Sequence, residues 1–314
     1  MKEFINHCKT LLLDQYPELR NMVESIIENN PDYYEIAAHP ARIIKQLCPS
    51  DEKLQEALKG YIRFCDTFKQ KQIEFTRNDS YIHDDFDKVN EEVYQNREYM
   101  LQTYYPALLF SYLFSSNYFE ILRVFKTNFL PTISKVEGNM CEIGIGHGML
   151  SSLALIENAH LQSFGIDISP VADEVTSSVS NILNCARPSV TLADATQNIP
   201  FKNNNVLICA EVLEHLSNPL ELLNRAYDAL NEDGIFFLTA SINMESVDHL
   251  YLFRSDEEVI QMIDNVGFEI VERHLAFLTT QSYLKDQAII SKLMKRNNPS
   301  TSILILKKAT NTIQ

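Results

Sequence analysis

Three glycines alternate in the stretch Asn139-Met-Cys-Glu-Ile-Gly-Ile-Gly-His-Gly-Met-Leu150, at Gly144, Gly146 and Gly148. Glycine has no Cβ, so a turn built this way lets the backbone approach a ligand closely. An apolar strand pattern precedes the turn and a helical pattern follows it. That order puts a ligand at the carboxyl end of a strand and at a helix N-terminus, a nucleoside-cofactor position. A dinucleotide fingerprint, Gly-x-Gly-x-x-Gly, fails on spacing. Counted from Gly144 its third glycine falls on Met149, and counted from Gly146 it falls on Ser151. Glu142 is a carboxylate inside an apolar strand, which is costly without a partner, so a cofactor contact is expected. Asp167 stands 25 residues later at a second strand end. As an acceptor-only group with two oxygens it can take both hydroxyls of a ribose. His147 sits inside the loop, where its backbone alone is sufficient for the turn.

A second set follows at Glu211, Glu214 and His215. If this segment is helical, the spacings i, i+3 and i, i+4 put all three on one face. Two carboxylates and an imidazole can hold a divalent cation. An imidazole near its ordinary pKa also suits removal of a proton from an acceptor at neutral pH. A third set is aromatic: Tyr94, Tyr99, Tyr104, Tyr105, Phe110, Tyr112, Phe114, Tyr118, Phe119 and Phe125. Helical spacing makes most of these core. Tyr99, Tyr104 and Tyr105 are the candidates to face a cofactor, because a tyrosine face attracts a sulfonium or ammonium.

The elements that must position these residues divide the chain in two. Of eight glycines, only Gly60 precedes Gly138. The glycine-poor front, with i, i+3, i+4 apolar spacing, predicts helices over Lys2–Gln15, Glu18–Asn29, Asp32–Leu47, Asp51–Arg77, Asp84–Gln102 and Tyr105–Phe129. Asp51 is the expected N-cap of the fourth, and Pro31, Pro49, Pro106 and Pro131 punctuate the series. From about residue 136 short apolar runs alternate with helical patterns. Strands are expected at Asn139–Ile143, Ser163–Asp167, Val190–Leu192, Asn205–Cys209, Ile235–Thr239, Phe268–Phe277 and Ser302–Lys307. Helices are expected at Leu150–Asn158, Pro170–Cys185, Pro219–Leu230 and Ser255–Val266, with a turn at Asn231–Gly234. Such alternation implies a parallel sheet with helices on both faces. The last two strands, joined by an excursion from Leu278 to Thr301, are candidates for an antiparallel edge. The domain boundary falls at 135: a helical lid or substrate domain over 1–135, and a cofactor domain over 136–314.

The net charge is −15. The front carries 16 basic and 20 acidic residues, and the rest 11 and 22. So acidic a surface repels a phosphate backbone, and no nucleic-acid partner is expected. The six cysteines show no metal spacing and are expected as core thiols of a reducing compartment. No run is long enough for a membrane span and no apolar signal core opens the chain, so a cytoplasmic protein without a membrane partner is expected. A homodimer is left open.

Residues about 136–275 resemble a class I S-adenosylmethionine (SAM)-dependent methyltransferase of the ubiquinone-biosynthesis-like branch. The resemblance rests on Glu142-x-Gly144-x-Gly146-x-Gly148, Asp167, Ala193-Asp194-Ala195, Ile208-Cys-Ala-Glu-Val-Leu-Glu-His-Leu216 and Leu230-Asn-Glu-Asp-Gly-Ile-Phe-Phe-Leu238, in order. It implies a Rossmann-like, doubly wound seven-stranded α/β sheet, preceded here by an all-α domain. It implies SAM as cofactor. Glu142 would help hold the amino group over the loop Gly144–Gly148. Asp167, with Ile168 beside it, would take the ribose, and Asp194 and Ala195 the adenine. Glu211 would border the cofactor, with Glu211, His215, His249, Tyr104 and Tyr105 as candidates for the chemistry. Glu211, Glu214, His215 and His249 also resemble the metal site of the small-RNA 3′-terminal ribose methyltransferases. Relatives without metal carry the same string, so a divalent ion is not favoured. The expected activity is methyl transfer to a small-molecule acceptor, for example an amino acid or natural product. Two alternatives stand beside it: intramolecular cyclisation of SAM with release of methylthioadenosine, and a non-catalytic SAM-binding partner subunit.

Overall fold

A computed structural model of the protein describes residues 1–80, 85–278 and 299–309. Asp84, the expected start of one helix, and most of the excursion between the last two strands (279–298) lie outside the described residues. The chain forms two compact units. The first takes Met1–Arg123, Asn243–His249 and Ala276–Ser300, and the second Val124–Ile242, Leu250–Leu275 and Thr301–Gln314.

The first unit is helical, as its glycine-poor sequence requires. Its longest helix, Asp51–Asn78, buries Leu54, Leu58, Tyr61, Cys65, Gln72 and Phe75 along one stripe. Its N-cap is Ser50, whose hydroxyl accepts from the Lys53 N–H, and not Asp51. Asp51 lies instead in the first turn, where a carboxylate suits the helix dipole. Tyr33 stacks on Phe119 at 5.2 Å and donates its hydroxyl to the Leu113 carbonyl at 2.8 Å. Tyr61 and Phe114 pack around Phe110.

Three predicted helices are broken: the one expected over Asp32–Leu47 divides at Ala37 into Tyr33–Ile36 and Ala38–Leu47, and two longer ones break up further. The stretch expected over Asp84–Gln102 comprises Phe86–Val89, a π-helical turn Asn90–Tyr94, Arg97–Tyr99 and a second π-helical turn Met100–Tyr104. Asn96 restarts the chain by accepting from the Tyr99 N–H. The stretch expected over Tyr105–Phe129 breaks at Ser115, which is extended, and ends in a third π-helical turn, Phe125–Phe129. Two of these π turns share a cause legible in the sequence. Met100–Tyr104 ends two residues before Pro106, and Phe125–Phe129 two residues before Pro131. A proline has no N–H for the carbonyl four residues back and its ring collides with that carbonyl; widening the preceding turn relieves both.

The second unit is built on the sheet. Its strands are β1 (Gly138–Ile143), β2 (Leu161–Asp167), β3 (Ser189–Leu192), β4 (Asn204–Cys209), β5 (Leu230–Ile242), β6 (Phe268–Phe277) and β7 (Ser300–Lys308). Their order is β3-β2-β1-β4-β5-β7-β6. β1 pairs parallel with β2 and β4, β2 with β3, and β4 with β5. At the far edge the Leu278 N–H donates to the Pro299 carbonyl and the Ala309 N–H to the Gly267 carbonyl. The end of β6 therefore meets the start of β7, and the reverse, so this pair is antiparallel, as expected for that edge. β5 is longer than predicted. Leu230 faces Asn204 and Ile235 faces Val206, so the Asn231–Gly234 turn survives as a bulge inside the strand. Helices Met149–Glu157, Ala172–Leu183, Pro219–Ala229 and Asp256–Val266 alternate with the strands. Cys141, Ile143, Ile166, Leu207, Cys209, Phe236 and Leu238 fill the core.

Candidate active site

The glycine loop leaves β1 at its carboxyl end. Gly144, Gly146 and Gly148 all adopt left-handed backbone, with φ of +67°, +53° and +67°. Side chains rarely tolerate this conformation. Two of the three are also sterically closed. A Cβ on Gly144 would stand 2.5 Å from Val212 Cγ2, and one on Gly148 2.6 Å from Thr176 Cγ2. The loop docks on β2: the Gly144 and Ile145 N–H groups both donate to the Ile166 carbonyl, at 2.8 and 3.1 Å. Ile145 also lies over Gly165 of β2, where a Cβ would meet it at 2.4 Å. Gly165 is thus explained by loop docking.

Because β1, β2 and β3 are adjacent and parallel, their last acidic residues share one edge in the order Glu142, Asp167, Asp194. Glu142 is buried, 4% exposed, and its Oε2 accepts from the Ser151 N–H at 3.0 Å and from the Ser151 hydroxyl. Burial pushes its carboxyl up to about 8, against the two Ser151 hydrogen bonds that pull it down. Asp167 Oδ2 accepts from the Gly146 N–H at 2.7 Å, and its Oδ1 from the Ser169 N–H at 2.8 Å. Burial raises this carboxyl too, while those backbone bonds lower it. Asp194 Oδ1 accepts from the backbone and hydroxyl of Thr196. Glu142 Oε1 and Asp194 Oδ2 take no hydrogen bond among the described residues. Ile168 and Ala195, beside these acids, are half-buried. His147 is buried and its Nδ1 accepts from the Met149 N–H at 3.2 Å. Burial pushes its imidazole down to about 4, so it is a neutral brace of the loop.

Beyond β4 the structure departs from the expected helix. Only Leu213–His215 coil, as a single 3₁₀ turn, and Glu211 lies outside it in left-handed backbone with φ +54°. Glu211, Glu214 and His215 therefore do not form one helical face. Glu211 is instead held by β5. Its N–H donates to the Thr239 hydroxyl at 2.8 Å, which donates on to Glu211 Oε1 at 2.8 Å, and the Ser241 hydroxyl donates to Oε2 at 2.8 Å. Burial, then the charge of Glu214, push the Glu211 carboxyl up to about 8; Thr239, Ser241 and His215 oppose this. A non-glycine residue held in left-handed backbone by three side-chain bonds is strain kept in place by its surroundings. Glu214 is fully buried and its carbonyl accepts from the Leu250 and Tyr251 N–H groups. His215 is half-buried.

Tyr104, Tyr105 and His249 belong to the first unit. Tyr104 donates to Asp248, Tyr105 is 3% exposed with its ring 6.2 Å from that of Tyr104, and His249 Nδ1 stands 2.7 Å from the Met244 carbonyl. Ser151, Thr239, Ser241 and Asp248 were not anticipated from sequence. A lone hydroxyl or carboxylate carries no periodic signal, and its role depends on which strand end it meets.

A left-handed glycine loop, three acids at or just past the ends of β1, β2 and β3, and two carboxylate oxygens that take no hydrogen bond among the described residues stand together at the carboxyl end of a Rossmann-like sheet. The sequence pattern of the methyltransferase domain matches residues 114–287, and the chain belongs to that family. A ubiquinone biosynthesis O-methyltransferase of Glaesserella parasuis serovar 5 (strain SH0165) is 28% identical over 127 residues, which is 39% of this chain and 52% of its own. The chain thus spans about half the length of that curated relative. The solved structure of a mitomycin 7-O-methyltransferase superposes with a TM-score of 0.51 at 13% identity, over 82% of this chain and 70% of that one, a likeness of fold. The phosphoethanolamine N-methyltransferase 2 of Haemonchus contortus, in complex with S-adenosyl-L-methionine, gives 0.48 at 14% identity, over 72% and 60%.

Proposed function

We propose that the protein transfers a methyl group from SAM to a nucleophile on a small molecule. The observation that carries this reading is the row Glu142, Asp167, Asp194 along the edge that holds the left-handed glycine loop. The row offers acceptors in the order an amino acid, a ribose and an adenine would need. Glu142 Oε1 would accept from the amino group, Asp167 from the ribose and Asp194 Oδ2 from the adenine amine. When bound, SAM supplies an activated methyl group on a sulfonium whose leaving group is a neutral thioether. The chain's own contribution is then position, exclusion of water and removal of a proton.

Glu211 suits the last task. It stands past the end of β4, the strand beside β1 on the side away from β2. Each carboxylate oxygen can accept a further bond beyond those from Thr239 and Ser241. A carboxyl near 8 matches the working range of a base at neutral pH. With both oxygens engaged by hydroxyls, Glu211 reads as a proton-holding group and not as a metal ligand. If Glu211 acts as that base without a metal, turnover survives EDTA; loss of turnover on chelation, restored by a divalent salt, would reverse that assignment.

The deciding experiment incubates the pure protein with SAM, first alone and then with a panel of amine and hydroxyl acceptors. S-adenosylhomocysteine formed only with an acceptor supports methyl transfer. Methylthioadenosine formed from SAM alone overturns it in favour of cyclisation. Absence of SAM binding in calorimetry overturns any catalytic reading.

A further inference from the structure

Two π-helical turns of the first unit end in tyrosines ten residues apart, Tyr94 and Tyr104, and both hydroxyls converge on one oxygen. Asp248 Oδ2 accepts from Tyr104 at 2.8 Å and from Tyr94 at 3.2 Å, while its Oδ1 accepts from the Ser246 hydroxyl at 2.9 Å. Asp248 is 1% exposed. Its carrier, Asn243–His249, is the direct continuation of β5 and is pinned by Gln72, whose amide donates to the Glu245 carbonyl. The rings around this carboxylate are edge-on or tilted to one another. Tyr94 and Tyr104 lie at 6.4 Å and 87°, Tyr99 and Tyr104 at 6.3 Å and 48°, and Phe64 and Tyr104 at 6.3 Å and 86°. Tyr99 is half-buried and its hydroxyl makes no hydrogen bond among the described residues. The helix carrying Phe64 fixes the second π turn through Gly60, where a Cβ would stand 2.6 Å from the Gln102 carbonyl oxygen.

We propose that Tyr94, Tyr99, Tyr104 and Asp248 form a binding site for an organic ammonium group. The site stands apart from the methyl-transfer reading, since its residues all belong to the first unit. Tyrosine faces attract a cation through the ring quadrupole, and a carboxylate behind them adds its charge. The donor set excludes the other ligand classes. One carboxylate among phenols is a poor cage for a divalent ion, which wants several oxygens at short range. A carboxylate repels an anion. The nearby guanidinium, Arg63, donates to the Thr103 hydroxyl at 3.3 Å. Pro106 accounts for the second π turn, but no proline follows the first, Asn90–Tyr94, a turn type concentrated at functional sites.

The test is a ligand-detected NMR titration of the full chain with choline and with its neutral isostere, 3,3-dimethylbutan-1-ol. Choline is expected to bind at least tenfold more tightly, and Asp248→Asn and Tyr99→Leu each to weaken it at least tenfold without weakening the alcohol equally. Tyr99 is half-buried, so its variant keeps the test alive if Asp248→Asn fails to fold. Equal affinity for the two probes, no choline binding, or choline affinity unchanged in a folded variant of either residue overturns the proposal. SAM calorimetry on the same samples separates the readings. Intact SAM binding with no choline selectivity sinks the ammonium site alone, and choline selectivity without SAM binding sinks the methyl-transfer reading alone.

Discussion

Glu142 and Glu211 are carboxyl groups that hold their protons near neutrality because burial penalises the charged form. The unfolded chain releases those protons near the ordinary value of 4.5. Between that value and about 8 the native state binds more protons than the unfolded one, so stability falls as pH rises through this window. The apo protein is expected to melt several degrees lower at pH 8.5 than at pH 6, and Glu142→Gln to flatten that slope; a melting temperature that rises over the same range would refute the assignment. Asp194 differs in kind. Its side-chain bonds are local, to Thr196, and one oxygen takes no hydrogen bond among the described residues. Asp194→Ala is expected to leave the fold intact and weaken SAM binding by about tenfold, the loss of one hydrogen bond to a buried ligand. Asp167→Ala costs more, because its two oxygens also hold the Gly146 and Ser169 N–H groups. Both SAM affinity and melting temperature are expected to fall, and calorimetry paired with thermal unfolding tells the two variants apart.

At the scale of the element, the glycine loop and the π turns show how local chemistry positions distant groups. Gly148→Ala adds a Cβ to left-handed backbone and drives it into Thr176. A cost of about 1–3 kcal/mol and loss of SAM binding are expected. Gly60→Ala is the counterpart in the helical unit. Helix propensity alone predicts a gain of about 0.5–1 kcal/mol. The contact with the Gln102 carbonyl predicts a loss of about 1–3 kcal/mol instead, because backbone cannot easily move away. Chemical denaturation of the two proteins decides which term dominates. The prolines were legible in sequence as punctuation, but a break was expected at Pro106 and Pro131 and a π turn was found before each. Pattern reading registers the missing donor and does not register how the preceding turn absorbs it. Ser115 and Asn96, which end and restart helices, carried no signal stronger than those of their neighbours.

For the whole molecule, the informative feature is that the first unit is discontinuous in sequence. Asn243–His249 leaves β5 and completes it, so Asp248 serves Tyr94 and Tyr104 from 154 and 144 residues away. A cut at residue 135, the boundary that composition suggests, would strand both tyrosines without their carboxylate. A fragment of residues 1–135 is expected to retain helical circular dichroism but to melt with low cooperativity and bind a hydrophobic dye; a sharp, dye-free transition would count against this partition. Among the described residues no helix is long and apolar enough to cross a membrane.

The sequence by itself determined the sheet, its alternation with helices, and the glycine loop with its acids at the ends of β1, β2 and β3. These rest on short-range periodicity and on glycine's freedom at positive φ, both written in consecutive residues. Only the tertiary structure decided that Glu211 leaves the helical face and is gripped by Thr239 and Ser241. It alone brought Asp248 under two tyrosines and set Gly60 against Gln102. Each of these depends on which residue stands opposite across strands or helices distant in sequence, and no periodicity within either partner encodes the meeting.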